Sequence, residues 1–237
     1  MRKLCFGLVA LVSLSLLFLA NFGSPHSISA AAQCNPGDGE DPCPPTDPDS
    51  RAQPVCSPII LDLNGSGFFL TNAANGVNYD IAGNGHPVQI AWTAAGADNA
   101  FLCLPGDDGK CDDGKRLFGN FTPQPPSRHR NGFAALAAYD QPSQGGNGDG
   151  VIDARDRIFA SLRLWVDANH DGVTQPDELF TLPSKGITSI SLTYRPSMRR
   201  DQYGNLFRYR SRVNPDQPGR DPELGRAAYD VFLVTTN

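Results

Sequence analysis

Six residues between positions 167 and 178 carry oxygen donors at a spacing that one cation could use. The segment reads Asp-Ala-Asn-His-Asp-Gly-Val-Thr-Gln-Pro-Asp-Glu, which fills every constrained position of the calcium-loop pattern D-x-[DN]-x-[DN]-G-x5-E. Alternate side chains, one backbone carbonyl and a bidentate Glu together supply about six or seven ligands to a hard cation. The alternative is an Asx-rich turn that binds nothing. We predict a Ca²⁺ site formed by Asp167, Asn169, Asp171, Val173, Gln175 and Glu178.

A second loop of this type, residues 145–156, is less complete. It matches the pattern at positions 3, 5, 6, 9 and 12, but Gly145 stands at position 1, where Asp140 could fold back across the inserted residues 141–146. Asp at position 12 reaches less far than Glu and tends to offer one oxygen. We therefore expect a weaker calcium site, formed by Asn147, Asp149, Val151, Asp153 and Asp156.

A third loop begins directly after a predicted strand. Asp62, Asn64 and Ser66 occupy positions 1, 3 and 5, but Ala73 stands where the bidentate carboxylate belongs. Such a site would be weak or would need ligands from elsewhere, and a plain Asx turn fits equally well. A further copy that begins at Asp80 has Ala82 at position 3, and we interpret it as structural.

The elements that position these loops follow from hydrophobic periodicity. Residues 58–62, 90–92 and 101–104 are predicted to form short strands, and residues 131–139 a short helix. Apolar residues at 158, 159, 162, 165 and 166 form one helical stripe, which predicts a helix over 154–166 between the two main loops. A second helix is expected over 174–182, followed by strands at 187–194, 206–213 and 229–234. The predicted fold class is α+β, with a loop–helix–loop pair and then a C-terminal antiparallel β region.

Composition and the N-terminus indicate an exported protein. Residues 1–32 combine Arg2 and Lys3, an apolar run and Ala30-Ala31-Ala32, as in a secretory signal peptide cleaved before Gln33. Residues 33–57 are rich in Pro and Asp and predict a flexible leader. A secreted or periplasmic location without a membrane span in the mature chain is expected. The net charge of −5 argues against nucleic acid as a partner and suits a cation.

Cysteine usage and the C-terminal arginines add two further predictions. Export makes disulfides plausible; Cys103 and Cys111 are the expected pair, and two of Cys34, Cys43 and Cys56 are expected to form another. The predicted C-terminal hairpin is locally basic, which suggests a solvated strand face or, alternatively, a surface for an anionic glycan or another extracellular partner. Its arginines are Arg195, Arg199, Arg200, Arg208, Arg210 and Arg212.

No pattern of catalytic residues is present. The sequence contains no G-x-S-x-G, H-E-x-x-H or P-loop motif, and its Asp clusters are better used as calcium ligands. The expectation is a protein that binds or scaffolds and is not an enzyme. A different non-enzyme interpretation is a dockerin-like domain that docks onto a partner through two loops and the helix between them.

From Pro58 onward the order of motifs resembles a known family. The series includes Leu-Asp-Leu-Asn-Gly-Ser-Gly, Tyr-Asp-Ile-Ala-Gly-Asn-Gly and the two loops around Phe-Ala-Ser-Leu-Arg-Leu-Trp. It resembles the EF-hand-like calcium module of secreted bacterial RTX-type and large repetitive proteins, over residues 58–195, with 196–237 as a β-hairpin region packed on it. In some such proteins calcium triggers self-cleavage at an Asp-Pro bond before the first strand, a place that Ser57-Pro58 takes here, while Asp41-Pro42 and Asp47-Pro48 lie upstream.

Overall fold

The chain forms a mostly β structure in which antiparallel strands dominate. A computed structural model describes residues 56–127, 129–215 and 226–236. The predicted signal peptide, most of the leader, both upstream Asp-Pro pairs, Cys34 and Cys43 lie outside the described residues. The strands are β1 (Ile59–Asp62), β2 (Val77–Tyr79), β3 (Val88–Ile90), β4 (Asn99–Cys103), β5 (Val151–Asp153), β6 (Arg163–Trp165), β7 (Leu179–Thr181), β8 (Ser189–Ser191), β9 (Arg195–Arg200), β10 (Leu206–Arg212) and β11 (Ala227–Phe232).

One seven-stranded sheet organises the molecule, in the order β7-β6-β4-β1-β11-β10-β9, while β2–β3 and β5–β8 form two small sheets. Successive side chains of a strand point to opposite faces, so the inner strands of the large sheet contribute to two cores. Ile60, Phe101 and Trp165 pack on one face, with the β2–β3 hairpin and Trp92. On the other face, Ile59, Leu102 and Leu164 pack against α1 (Gly132–Ala137) and β5.

The predicted α+β class is wrong, because the helix expected over 154–166 does not form. A short 3-10 helix (Arg157–Ala160) is followed by β6 instead. The apolar residues of this segment are buried as expected, but on both faces of the sheet: Leu162 and Leu164 lie in one core and Trp165 in the other. A strand buried on both faces needs apolar residues at consecutive positions, and over a few residues this pattern cannot be distinguished from a helical stripe.

The second predicted helix, over 174–182, is also wrong. Residues Pro176–Glu178 form one 3-10 turn, and β7 follows and pairs with β6. The only α-helix in the described part of the chain is α1, six residues long, where Asn131 caps the first turn by accepting a hydrogen bond from the Ala134 N–H. No helix of the described residues has the length and apolar character needed to cross a lipid bilayer.

The C-terminal strands belong to the same sheet as the N-terminal ones. β11 pairs with β1 on one side and with β10 on the other, and β9 forms the sheet edge. The predicted strands at 58–62, 206–213 and 229–234 therefore correspond to β1, β10 and β11. Residues 58–195 and the C-terminal region share one hydrogen-bonded framework.

The expected Cys103–Cys111 disulfide is present, with the two Cα atoms 6.2 Å apart. It closes the turn after β4, where the Tyr79 hydroxyl donates a hydrogen bond to the Cys111 carbonyl. Cys56 is a buried free thiol, and burial raises its pKa to about 12. The thiolate, which is the reactive form, is therefore strongly disfavoured at this position.

Candidate metal centre

The loop 167–178 connects β6 to β7 and is therefore the turn of a β-hairpin. β6 and β7 pair with Trp165 opposite Leu179, so the two ends of the loop are held side by side. Gly172 at position 6 has φ 70°, a left-handed conformation that favours glycine. The sharp turn predicted from the loop pattern is formed without flanking α-helices.

The first and last carboxylates of this loop are buried and bound to tryptophan. Asp167 is 1% exposed and Glu178 is 6% exposed. The Trp92 indole N–H donates to Asp167 Oδ2 at 2.7 Å, and the Trp165 indole N–H donates to Glu178 Oε2 at 3.1 Å. Because Trp92 and Trp165 also contact each other, with ring centroids 5.6 Å apart, the two loop ends are tied to one aromatic cluster.

Backbone N–H groups hold the same carboxylates from the loop side. The N–H of Gly172 donates to Asp167 Oδ2 at 2.8 Å, and that of Ala168 donates to Glu178 Oε1 at 3.0 Å. Carboxylates that accept several hydrogen bonds are fixed in position. Asp167 and Glu178 therefore have set orientations at the two buried ends of the loop.

On the exposed side of the loop, Asp171 accepts hydrogen bonds from three other loop residues. Its Oδ2 accepts from the Asn169 amide at 2.9 Å and from the Gln175 amide at 2.8 Å, while Oδ1 accepts from the Val173 N–H at 2.8 Å. Desolvation tends to raise the pKa of Asp171, but these hydrogen bonds outweigh it and hold the pKa below its ordinary value. The structure thus brings Asp171, Asn169 and Gln175 into direct contact.

One oxygen of the loop lacks a hydrogen-bond partner. Gln175 stands at position 9, and its Oε1 is buried without a partner, although its amide group donates to Asp171. A buried acceptor without a donor is costly, and a cation would satisfy it. The donor set consists of oxygen atoms only, without Cys or His, which fits calcium and does not fit zinc.

The acidic side chains alone do not form a metal-binding cluster. No group of three or more His, Cys, Asp or Glu residues suited to a metal ion occurs within residues 56–127, 129–215 and 226–236. In the loop 167–178 the donors are mixed, since Asn169, Gln175 and a backbone carbonyl alternate with the carboxylates. Calcium coordination by this loop therefore remains a prediction.

His170 fastens the loop to the neighbouring segments. Its Nδ1 lies 2.6 Å from the Thr93 carbonyl oxygen and its Nε2 lies 2.8 Å from the Asn75 carbonyl oxygen. The residue itself has φ 61°, an uncommon conformation away from glycine. The loop pattern places no constraint on this position, and the two contacts of His170 are visible only in the fold.

In the second predicted loop, Asp140 folds back across the inserted residues, as the sequence suggested. Asp140 accepts hydrogen bonds from the N–H groups of Gly148 and Gly150, each at 2.9 Å, so it stands in the place that Gly145 would otherwise occupy. Asp156 accepts from the N–H groups of Asn147 and Asp153. Both carboxylates are buried, at 5% and 2% exposure. This loop therefore reproduces the buried first and last carboxylates of loop 167–178.

An arginine lies across two predicted ligands of this second loop. The Arg155 guanidinium contacts Asp149 Oδ2 at 2.5 Å and Asp153 Oδ2 at 2.6 Å. Its hydrogen bond lowers the pKa of Asp153, and these carboxylates in turn raise the pKa of Arg155. A cation that bound here would have to displace the guanidinium. Val151, which was expected to offer its carbonyl, begins β5 and is opposite Ser191.

The third loop has an acidic neighbour that sequence reasoning missed. Asp98 Oδ2 accepts from the Asn64 N–H at 3.0 Å, and Asp98 Oδ1 lies 3.3 Å from the Ser66 hydroxyl. Asp62 accepts from the N–H groups of Gly65 and Gly67, both at 2.9 Å. Asp98 is far from this loop in sequence, and only the β1–β4 pairing brings it close. Asp98 can supply the carboxylate that Ala73 does not.

The Ser57-Pro58 junction lies at the entrance to β1 and is closely packed. Ser57 is 3% exposed, and its hydroxyl donates to Asp230 Oδ1 at 2.8 Å. Asp230 also accepts from the Gly132 N–H at 3.0 Å, and its Oδ2 has no partner. Burial raises the pKa of Asp230 to about 7. This cluster joins β1, β11 and the start of α1.

Comparison with known proteins gives the family. A segment 36% identical over 156 residues occurs in the iron-regulated protein FrpA of Neisseria meningitidis serogroup C. It covers 65% of this chain but 14% of that protein, so the chain spans about a seventh of the relative's length. The SPM domain family model matches residues 59–225, which include all three loops and most of the large sheet. The chain belongs to the SPM domain family.

Proposed function

We propose that the protein is an exported calcium-binding module in which loop 167–178 holds the principal ion and stabilises the fold. The observation that carries this proposal is the burial of Asp167 and Glu178, each hydrogen-bonded to a core tryptophan. These residues occupy positions 1 and 12 of a complete calcium-loop pattern. The order of motifs, which resembles the EF-hand-like calcium module of RTX-type proteins, gives further support.

Electrostatics supply the physical reason for a cation. Asp167 and Glu178 are two buried carboxylates of one loop. They repel each other, and removing them from water is costly unless opposite charge compensates. Neither forms an ion pair with an arginine or lysine among the described residues. A divalent ion among Asp167, Asn169, Asp171, Val173, Gln175 and Glu178 would supply that charge and satisfy Gln175 Oε1.

The proposed role is binding or scaffolding outside the cell. The signal-like N-terminus and the acidic balance support export and cation binding. In an extracellular medium, calcium affinities of about 10⁻⁴–10⁻³ M are sufficient for such modules. The other two loops would be weaker sites. In the second loop, which with Asp140 spans residues 140–156, Arg155 competes with the ion. The loop that begins at Asp62 depends on Asp98 for a carboxylate.

Neither alternative function is favoured by a specific observation. Self-processing at Asp-Pro would need that dipeptide before β1, where Ser57-Pro58 stands. A dockerin-like mode would present a recognition pair on helices around the loops, but β6 and β7 occupy the flanks of loop 167–178. We therefore do not extend the proposal to either.

Thermal unfolding of the full chain in calcium and in chelator tests the proposal. A site with Kd of about 0.1 mM adds about 2.7 kcal/mol at 10 mM calcium, which for a chain of this size raises Tm by about 5–10 °C. We expect Glu178→Gln to lose most of this gain, because the neutral amide has one coordinating oxygen in place of two.

Asp177→Asn provides the matched control, since it removes one negative charge from the adjacent, exposed residue. The control should keep the calcium-dependent gain. A parent protein that melts at the same temperature in calcium and in chelator contradicts the proposal, as does a Glu178→Gln variant that keeps the full gain.

A further inference from the structure

One residue of loop 167–178 that is not a predicted ligand is buried and bonded to another part of the chain. Thr174 stands at loop position 8, between the predicted ligands Val173 and Gln175, and is 6% exposed. Its Oγ1 accepts a buried hydrogen bond from the Cys111 N–H at 3.1 Å. Thr174 therefore connects the predicted calcium loop to the disulfide.

The Cys103–Cys111 disulfide contacts the β6–β7 hairpin at two places. Cys103 lies on β4 and is opposite Arg163 of β6, the strand that leads into the loop. Cys111 reaches the loop itself through Thr174. Both cysteines are fully buried. The covalent bridge thus completes a closed path from β6 through β4 and the disulfide to the middle of the loop.

The Cys111 peptide is also bonded to the aromatic cluster that holds the loop ends. The Tyr79 hydroxyl donates to the Cys111 carbonyl at 2.8 Å. The centroid of the Tyr79 ring lies 4.8 Å from that of Trp92 and 5.9 Å from that of Trp165. These two indoles donate to the first and last carboxylates of the loop. The position of Cys111 is therefore linked to the loop at its middle and at both ends.

The position of Thr174 affects two of the predicted ligands. The Val173 carbonyl belongs to the peptide that joins Val173 to Thr174, and Gln175 follows Thr174 directly. A loop whose ligands are already in place loses less conformational entropy when it binds an ion. Because the hydrogen bond from Cys111 fixes Thr174, it should raise the affinity of the loop for calcium.

We propose that Thr174 is a positioning residue for calcium, and that the Cys103–Cys111 disulfide raises the calcium affinity of loop 167–178 by holding the Cys111 N–H against Thr174. This inference rests on the calcium site proposed above. The effect is reciprocal, since an ion bound in the loop stabilises the disulfide by the same factor by which the disulfide strengthens ion binding. The protein binds calcium most tightly with the disulfide formed, which is the state that oxidising compartments favour.

Calcium titrations followed by tryptophan fluorescence test the positioning role, because both tryptophans of the chain donate hydrogen bonds to carboxylates of this loop. Thr174→Val removes the acceptor, keeps a side chain of similar shape and leaves the disulfide intact. The loss of one buried hydrogen bond should raise Kd about three- to tenfold. Thr174→Ser keeps the hydroxyl and should bind calcium within about twofold of the parent.

Removal of the disulfide tests the second part of the proposal. The double variant Cys103→Ala, Cys111→Ala should raise Kd by a similar factor. Adding Thr174→Val to it should raise Kd little further, because both changes remove the same contact. Cys56→Ala removes a buried free thiol and is the matched control, which should leave Kd unchanged.

Urea unfolding of the same variants in chelator separates positioning from simple stabilisation. A merely structural role lowers the free energy of unfolding without changing Kd, whereas the positioning role raises Kd in variants that remain folded. Thr174→Val and Thr174→Ser, which keep the disulfide, decide the question if the double cysteine variant does not fold.

Equilibration with reduced and oxidised glutathione tests the reciprocal effect. Reduction breaks the S–S bond and leaves Cys103 and Cys111 as thiols, while two glutathione thiols join in a disulfide. Peptide mapping after alkylation should show that saturating calcium raises the ratio of disulfide to dithiol by the factor measured for Kd. In Glu178→Gln this calcium effect should be lost.

The possible failures can be told apart. A parent whose fluorescence and melting temperature do not respond to calcium overturns this inference together with the proposed calcium site. The inference alone is overturned if the parent binds calcium but Thr174→Val and the double cysteine variant bind it as tightly. It is also overturned if Thr174→Ser weakens binding as much as Thr174→Val does, or if calcium leaves the glutathione equilibrium unchanged.

Discussion

Asp167 and Glu178 are both predicted calcium ligands and residues bonded to the core. The loop pattern predicts only the first of these two properties. Each accepts an indole N–H from one of the two tryptophans in the chain. A hydrogen bond to a charged group contributes about 1.5–3 kcal/mol, and here both bonds connect the loop to the same aromatic cluster. The loop pattern predicted Asp167 and Glu178 as ligands, but it contained no signal for their contacts with Trp92 and Trp165.

Asp230 is a further buried carboxyl, and no sequence pattern singles it out. It sits among apolar residues of β11, and its contacts come from Ser57 and Gly132, which are distant in the chain. Burial raises its pKa to about 7, partly offset by hydrogen bonds from Gly132 and Ser57 and by the charge of Arg208 on β10. Near pH 5 the folded state therefore keeps a proton that the unfolded state has lost.

We expect the free energy of unfolding to change with pH because the folded state binds this proton more tightly than the unfolded state does. A raised pKa in the folded state contributes stability that is complete below the ordinary value of 3.8 and is lost as pH rises through about 7. The loss should reach up to about 4 kcal/mol, at about 1.36 kcal/mol per pH unit. Asp230→Asn, which cannot ionise, should therefore become more stable relative to the parent between pH 4 and pH 8, as measured by urea unfolding at each pH.

Asp177→Asn serves as the control, because it makes the same change at an exposed carboxyl. Parallel curves for the parent and Asp230→Asn would show that Asp230 titrates in its ordinary range.

At the scale of elements, four loops share the same hydrogen bond between their first residue and the glycine at position 6. Asp62, Asp80, Asp140 and Asp167 each accept a hydrogen bond from the N–H of the glycine at loop position 6. These glycines all have positive φ. The design depends on contacts within a few residues, which is why the loop pattern predicted three of the four first residues directly and the fourth, Asp140, by allowing for an insertion. The flanking elements depend on tertiary pairing, and there the prediction of helices failed.

Arg155 should act as an internal competitor for calcium in loop 140–156. Exposed ion pairs are weak, so removal of the two pairs with Asp149 and Asp153 should tighten calcium binding by a modest factor, about two- to tenfold. The affinity is measured by calorimetric titration of Arg155→Gln in the Glu178→Gln background, where the principal loop is weakened.

Arg157→Gln in the same background is the control, because it removes a neighbouring exposed charge that takes no part in these ion pairs. It should change the affinity much less than Arg155→Gln does. Equal affinities for the two variants would mean that the guanidinium of Arg155 does not compete with the ion.

At the scale of the whole molecule, the large sheet connects the loops to distant parts of the chain. β1 lies between β4 and β11, so a strand near the start of the described residues pairs with one near their end. Local patterning predicted these strands individually but could not give their order, because a strand carries little information about its partner. The two-sided burial of β4, β1 and β11 explains their nearly continuous apolar sequences.

Loop 167–178 is also attached, through His170, to the segments that contain Asn75 and Thr93. An ion bound in the loop would therefore also stabilise the β2–β3 hairpin and the core around Trp92. Binding free energy that depends on the folded loop adds to folding free energy.

The number of calcium ions retained per chain at equilibrium tests the central claim most directly. Equilibrium dialysis of the full chain against 2 mM calcium, with magnesium present to occupy non-specific sites, should find one to three ions per chain. It should find one fewer in Glu178→Gln, and no change in Asp177→Asn. A parent chain that retains less than about half an ion under these conditions, or a Glu178→Gln variant that retains as many as the parent, would contradict the account, because a site with Kd of about 1 mM or tighter is at least about two-thirds occupied at 2 mM calcium.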